Sequence, residues 1–287
     1  MTTDDVVDVE RLTDEAYRDH DLRLRRVGDP EPSGRTPQRS RAWCRRAAHL
    51  VRHDPRGCWV AEAGDGLLGA AMSLRRELTW VLAAYAVRPG VQGRGVGRRV
   101  LEPALAYGAG ALRGMLAASD DPRALRHYRL AGLDLHPTMQ LTGRVPRAAL
   151  PVVDRVREGA LGDVDLMDSV DRRARGAAHG VDHALLVASH RVVVADRPTG
   201  SGYAYADAAG VPVLLAATSR RVATDLLWEC LAGSDPDVVV SVRHVTAANG
   251  WALDVGTAAR LEVSTSGYLG LRGLRPPAPY LPHSQLL

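Results

Sequence analysis

The 287-residue chain contains no lysine, no phenylalanine and no isoleucine, and all 37 of its basic residues are arginine. That bias fits a GC-rich coding sequence better than any chemistry, yet it removes two mechanisms. Without lysine there is neither a Walker-type phosphate loop nor a Schiff-base nucleophile. Cysteine is scarce as well. Cys44, Cys58 and Cys230 are odd in number and widely spaced, with no C-x-x-C pair. Neither a disulfide framework nor a zinc knuckle is therefore suggested, and buried free thiols are expected. No apolar run approaches bilayer length; 211–218 is typical of the longest. The first residues, MTTDDVVDVE, lack the charged-then-apolar order of a secretory signal. The expected location is cytoplasmic, with no membrane partner. A G-x-S-x-G elbow and an ordered Ser/His/Asp set are both absent.

What is present is an ordinary globular composition, 46% hydrophobic and 24% charged. A net charge of +4 permits an anionic ligand without requiring one. A nucleic-acid partner is not expected, because dense basic clusters interleaved with aromatics are missing. The most arginine-rich stretch, from Arg35 to Arg56, carries Trp43, Ala47, Leu50 and Val51 at helical spacing. It reads as an amphipathic helix whose arginines form the solvated face.

The element pattern predicts an α/β protein of two related units. A strand is expected at 5–12, helices near 14–27 and 37–53, and strands at 58–63, 67–75 and 78–87. A helix over 95–109, a strand at 112–118, a helix at 121–131 and a strand at 135–143 complete the first unit. The segment VVDVERLT (6–13) has an echo in VVDRVREG (152–159). WVAEAGDGLLGAAM (59–72) has one in VVADRPTGSGYAYA (193–206), each reading as strand, glycine turn, strand. TGRVPRAALP (142–151) is a plausible linker, which divides the chain into domains at 1–145 and 152–287.

The stretch VRPGVQGRGVG (87–97) places bare backbone where a strand meets a helix. Free amide groups at a helix start, with the helix dipole behind them, form an anion site. Glycine lets oxygens approach, and Arg94, Arg98 and Arg99 add charge. The dinucleotide pattern G-x-G-x-x-G fails, since Arg98 stands where its third glycine belongs. In the second half, the junction at 211–231 has no such glycines, only a helix capped by Thr218 or Ser219. His179 and His183 have the i, i+4 spacing of metal ligands, but the sequence supplies no third ligand and no H-E-x-x-H glutamate. A structural role is expected, and no metal.

Gln92-x-x-Gly95-x-Gly97, following Ala86-Val87-Arg88-Pro89, resembles the acetyl-CoA signature of the GNAT acetyltransferase superfamily. Asp121-x-x-Ala124-x-x-x-Tyr128-x-x-x-Gly132-Leu133 is similar to a second GNAT segment, with Asp121 for the usual Asn and Leu133 for the usual Phe. The resemblance covers residues 5–145 well and the rest by architecture only. It implies tandem GNAT-like domains, each a mixed, mostly antiparallel twisted sheet flanked by helices, the second having lost coenzyme binding. It implies acetyl-CoA as cosubstrate, contacted by Ala86, Val87, Gln92, Gly93, Arg94, Gly95, Val96, Gly97, Arg98 and Asp121. Acetyl would pass by direct attack to a primary amine of a small molecule or peptide. Tyr128 matches the family's general acid. For the base, strand alternation leaves Glu77 as the one carboxylate on the relevant face; Glu62, Asp120, a water chain and the C-terminal carboxylate of Leu287 stay open. By the same resemblance the arginine-rich helix borders the acceptor groove and could receive an acidic acceptor. The rival readings are a non-catalytic acyl-CoA-binding or sensor module and a GNAT-fold acyltransferase using another acyl group or acceptor. A monomer or a homodimer is compatible with all of them.

Overall fold

The computed structural model describes residues 1–25, 31–64 and 66–287. The last two positions of the expected helix 14–27 lie outside the described residues. The chain starts with a helix, not with the strand expected over 5–12. This helix, α1, runs Val6–Leu24 and buries Val6, Val9, Leu12, Thr13 and Ala16. These positions recur every three or four residues, the spacing of one helix side, with charged residues filling the other. The β-branched valines had favoured a strand reading, and packing overrides that local preference.

Helix α2 (Pro37–His53) begins at Thr36, whose hydroxyl accepts from the Arg39 N–H at 3.3 Å, with proline in the first turn. Trp43, Ala47, Leu50 and Val51 are all buried, as their periodicity predicts. Strands β1 (Cys58–Ala63), β2 (Gly66–Arg76) and β3 (Thr79–Val87) follow, then α3 (Val96–Tyr107), which contains Pro103. β1 and β2 pair antiparallel, with Cys58 opposite Met72. Trp80 and Val81 of β3 are fully buried. Residues Met1–Arg75 and Trp80–Ala111 form one compact unit.

The second compact unit comprises Arg76–Thr79 and Leu112–Leu287. Its elements are β4 (Arg113–Ala118), α4 (Pro122–Leu130), β5 (Asp134–Gly143), β6 (Arg157–Glu158), α5 (Val164–Ala174) and α6 (Asp182–Val187). After these come β7 (Arg191–Arg197), β8 (Gly200–Ala206), β9 (Pro212–Ala217), α7 (Arg220–Ala232), β10 (Val240–Val245), α8 (Gly250–Ala258), β11 (Glu262–Arg272) and β12 (Tyr280–Leu281). Strands β4, β11, β5 and β10 lie side by side in that order, each pair antiparallel. Strands β12, β9, β8, β7 and β6 form a second antiparallel sheet. Its core gathers Ala204, Leu215, Leu226, Leu227, Trp251 and Val255 from strands and from α7 and α8.

The compact units thus do not part at the 142–151 linker. β4 and β5 make no pair with each other; β11, from the far end of the chain, lies between them. Tyr268 faces Ala118 on one side and Pro137 on the other. Of the two sequence echoes, 59–72 and 193–206 both fold as antiparallel hairpins. The other does not hold, since 6–13 is helical while 152–159 is irregular apart from the two-residue β6.

Candidate coenzyme and catalytic site

β3 ends at Val87 and α3 begins at Val96, and the connecting loop turns on three left-handed glycines. Gly90, Gly93 and Gly95 have φ of 80°, 80° and 82°. A Cβ at any of the three would meet no heavy atom within 4 Å, so this backbone is bare on its outer side. Gly95 is the N-cap of α3 and the first helical bond is Arg99 N–H to Gly95 C=O at 3.2 Å. The N–H groups of Val96, Gly97 and Arg98 therefore have no partner within the helix. No acidic residue sits in the first turn. Gln92 donates from Nε2 to the Val87 carbonyl at 3.2 Å, folding the loop back on the strand end. Arg94 is exposed; Arg98 is exposed too and pairs with Glu102 at 2.6 Å.

Gly97 is held by packing, not by its dihedral angle. A Cβ there would fall 2.3 Å from the Tyr85 hydroxyl and 3.2 Å from Val87 Cγ2. The edge orientation of β3 follows from one bond: Arg88 N–H donates to the Leu68 carbonyl of β2 at 2.9 Å. Because antiparallel strands alternate, Ala86 faces β2 while Val87 and Tyr85 present their N–H groups to the opposite edge.

The predicted catalytic residues lie in the second unit. Tyr128 is on α4 and is 7% exposed. Asp121 is the N-cap of α4, accepting from the Arg123 N–H at 2.8 Å and pairing with its guanidinium at 2.8 Å. In the structure it is thus a capping residue. Glu77 lies in the tight turn between β2 and β3 with φ of 50°. Its carboxylate pairs with Arg172 at 2.7 Å and accepts from the Ala178 N–H at 3.3 Å. Those contacts describe a structural tie and lend no support to a base.

Two groups escaped the sequence reading. The first surrounds Tyr17, on the stretch leading out of the misread strand. The Arg35 guanidinium lies over the Tyr17 ring at 5.6 Å and over the Trp43 ring at 5.3 Å. Nη1 of Arg35 binds the Glu10 carbonyl at 3.0 Å, Glu10 Oε1 at 3.2 Å and Thr13 Oγ1 at 3.2 Å. The i, i+3, i+7 spacing of Glu10, Thr13 and Tyr17 was the available signal.

The second group is a buried cluster. Asp171 of α5 is the third partner that His179 and His183 lack in sequence; the three bring ligand atoms within 4.8 Å of one another. Arg175 Nη1 lies 2.7 Å from His179 Nε2. A guanidinium only donates, so Nε2 accepts and the ring proton sits on Nδ1, which donates to Asp171 Oδ2 at 2.7 Å. The Tyr203 hydroxyl donates to Asp171 Oδ1 at 2.5 Å. Burial, then the neighbouring Arg175 charge, push the His179 pKa down. Burial pulls Asp171 upward, but its histidine partners and Arg175 outweigh it and hold the carboxyl below its usual range. With both His179 nitrogens hydrogen-bonded beside a cation, the set fits a proton network better than a metal. Nearby, Arg76 and Asp182 form a buried two-bond pair at 2.6 and 2.8 Å.

A bare glycine loop opening a helix after a strand, and a tyrosine-bearing helix later in the chain, are features of an α/β protein. Residues 13–133 match the model of the acetyltransferase (GNAT) family. The whole chain shares the fold of a Pyrococcus horikoshii protein assigned as an acetyltransferase. That match has 18% identity and a TM-score of 0.73, covering 100% of this chain and 93% of that one. A GCN5-related N-acetyltransferase from Sphaerobacter thermophilus is similar at 15% identity and TM-score 0.59, over 96% and 95% of the two chains. A tandem GNAT protein of the clavulanic acid biosynthesis pathway matches at 14% identity and TM-score 0.54, over 96% and 98%. Comparison with curated proteins finds no match. Among the described residues no helix is long and apolar enough to cross a membrane.

Proposed function

We propose that the protein transfers acetyl from acetyl-CoA to a primary amine of a small molecule or peptide, the amine attacking the thioester directly. The observation that carries this reading is the run of three left-handed, unobstructed glycines leading into the unpaired N–H groups of α3. Those amides and the helix dipole would receive the coenzyme diphosphate, with Arg94 and Arg98 beside it. The pantetheine arm would then run back along the end of β3, past the Val87 N–H.

Tyr128 is the proposed acid. A phenol with an ordinary pKa near 10 suits protonation of a leaving thiolate. The second half would contribute no coenzyme site, since β9 enters α7 through Thr218 and Ser219, the latter capping the Val222 N–H at 3.4 Å. The 1–145 and 152–287 division is retained as a proposal about ancestry, not about packing.

Calorimetric titration with CoA and acetyl-CoA, followed by thiol release over a panel of amines, tests the reading. Micromolar binding with acceptor-dependent thiol release is expected. Binding without release from any amine favours a sensor, and no binding of either compound removes the proposal.

A further inference from the structure

Two arginines are buried in the second compact unit, and only one of them has a carboxylate. Arg76 holds Asp182 through Nε and Nη2, the two parallel donors of one guanidinium edge, at 2.8 and 2.6 Å. Arg175, the C-cap of α5, is 2% exposed. Its Nη1 meets His179, but the same Nε and Nη2 edge has no hydrogen-bond partner. Among the described residues no carboxylate lies within ion-pair distance of it. Asp171, one helical turn back, is occupied by the Tyr203 hydroxyl, the His179 Nδ1 and the His179 N–H. A buried guanidinium without a direct counter-charge is costly, and its open edge has the geometry of a carboxylate.

The sheet beneath α5 supplies a second free donor. Tyr203 of β8 and Tyr280 of β12 pair with the same residue, Ala216 of β9, from its two sides. Residues paired across strands point to one sheet face, and Tyr203 reaches Asp171 of α5 from that face. Tyr280 therefore shares it, two strand spacings or about 9.6 Å from Tyr203, with only the Ala216 methyl between them. The Tyr280 hydroxyl is fully buried and has no hydrogen-bond partner. Burial raises its pKa and the Arg175 charge beside it opposes that rise. We propose that Arg175 and Tyr280 form a buried site for the carboxylate of a small monocarboxylic acid. Nε and Nη2 take its two oxygens, as Arg76 takes those of Asp182, and the Tyr280 hydroxyl donates to one of them. The Ala216 methyl and the flanking tyrosine rings receive the short alkyl chain, a contact that favours an organic acid over a hydrated inorganic anion.

The full chain is titrated calorimetrically with sodium acetate, sodium propionate and sodium nitrate, with chloride holding the ionic strength constant. Acetate or propionate should bind saturably and raise the melting temperature by mass action, and nitrate should bind more weakly than either. Tyr280→Phe removes a hydroxyl that has no partner in the free chain, so without added acid this variant should melt no lower than wild type. Its Kd for the better-bound acid should nevertheless rise on the order of tenfold, the loss of one hydrogen bond to an anion. Arg175→Gln should abolish binding; if that variant does not fold, Tyr280→Phe decides alone. The site is overturned if neither acid binds saturably, if nitrate binds as tightly as both, or if Tyr280→Phe leaves the Kd unchanged. A clear drop in the melting temperature of acid-free Tyr280→Phe overturns it too, by showing that the hydroxyl is already bonded within the chain.

Discussion

The loop glycines are not interchangeable, because they serve different needs. Gly93 takes a left-handed angle with open space around it, whereas Gly97 has an ordinary angle and a hydroxyl against it. Gly93→Ala should cost about 1–2 kcal/mol of conformational strain and little else. Gly97→Ala forces Tyr85 to move at the helix start, so CoA affinity should drop tenfold or more in a calorimetric titration. Equal losses in the two variants would mean that sterics at Tyr85 do not shape the site. Tyr128→Phe belongs to the same scale: thiol release slows while acetyl-CoA affinity stays, and unchanged turnover rejects the acid role. His179 offers a test by pH. Its native pKa is depressed below the ordinary 6.5, so the unfolded chain takes up a proton that the fold refuses. The stabilisation is complete above pH 6.5 and is lost as pH falls towards the native value. Melting temperature should decline from pH 8 to 5, and His179→Gln should flatten that slope by up to about one proton's worth. A slope unaffected by the substitution removes His179 as the cause.

At the scale of elements, much was legible wherever local chemistry decides the outcome. The buried stripe of α2, the hairpin of β1 and β2, the ends of α4 and the glycine junction all follow from periodicity, turn residues and caps. Asp121 illustrates the limit. Its position in a motif pointed to coenzyme, while its geometry shows a cap, and both readings require the same short acidic side chain. Asp121→Ala should therefore destabilise by about 1 kcal/mol through α4, measurable by urea unfolding. The α1 error had a physical source, since valines at 6, 7 and 9 suit either element until their burial partners are known. Tyr17 was hidden by that error. Asp171 was hidden because a ligand eight residues from His179 follows no helical spacing. In β11, Gly267 sits at a bulge with φ of 64°, and a Cβ there would fall 2.2 Å from the Ala118 carbonyl.

For the whole molecule, pairing partners matter more than linkers. A proline-bearing stretch at 142–151 looks like a boundary, yet β4 and β5 on its N-terminal side are bridged by a strand from the C-terminal end. No local pattern announces a neighbour roughly 150 positions away. A fragment ending at residue 145 should expose the facing edges of β4 and β5 and aggregate, as judged by size-exclusion chromatography and circular dichroism. A soluble, cooperatively melting fragment would show that β11 is dispensable.

The late arrival of β11 also governs when this protein can mature. A growing polypeptide on the ribosome has β4 and β5 in hand long before their common neighbour is synthesised, so that part of the sheet stays unfinished until residues 262–272 have emerged. Such distant pairing slows folding and prolongs exposure of unpaired edges. Chaperone demand during synthesis should accordingly be highest for this region, and premature termination anywhere before residue 262 should yield material for degradation instead of a working half.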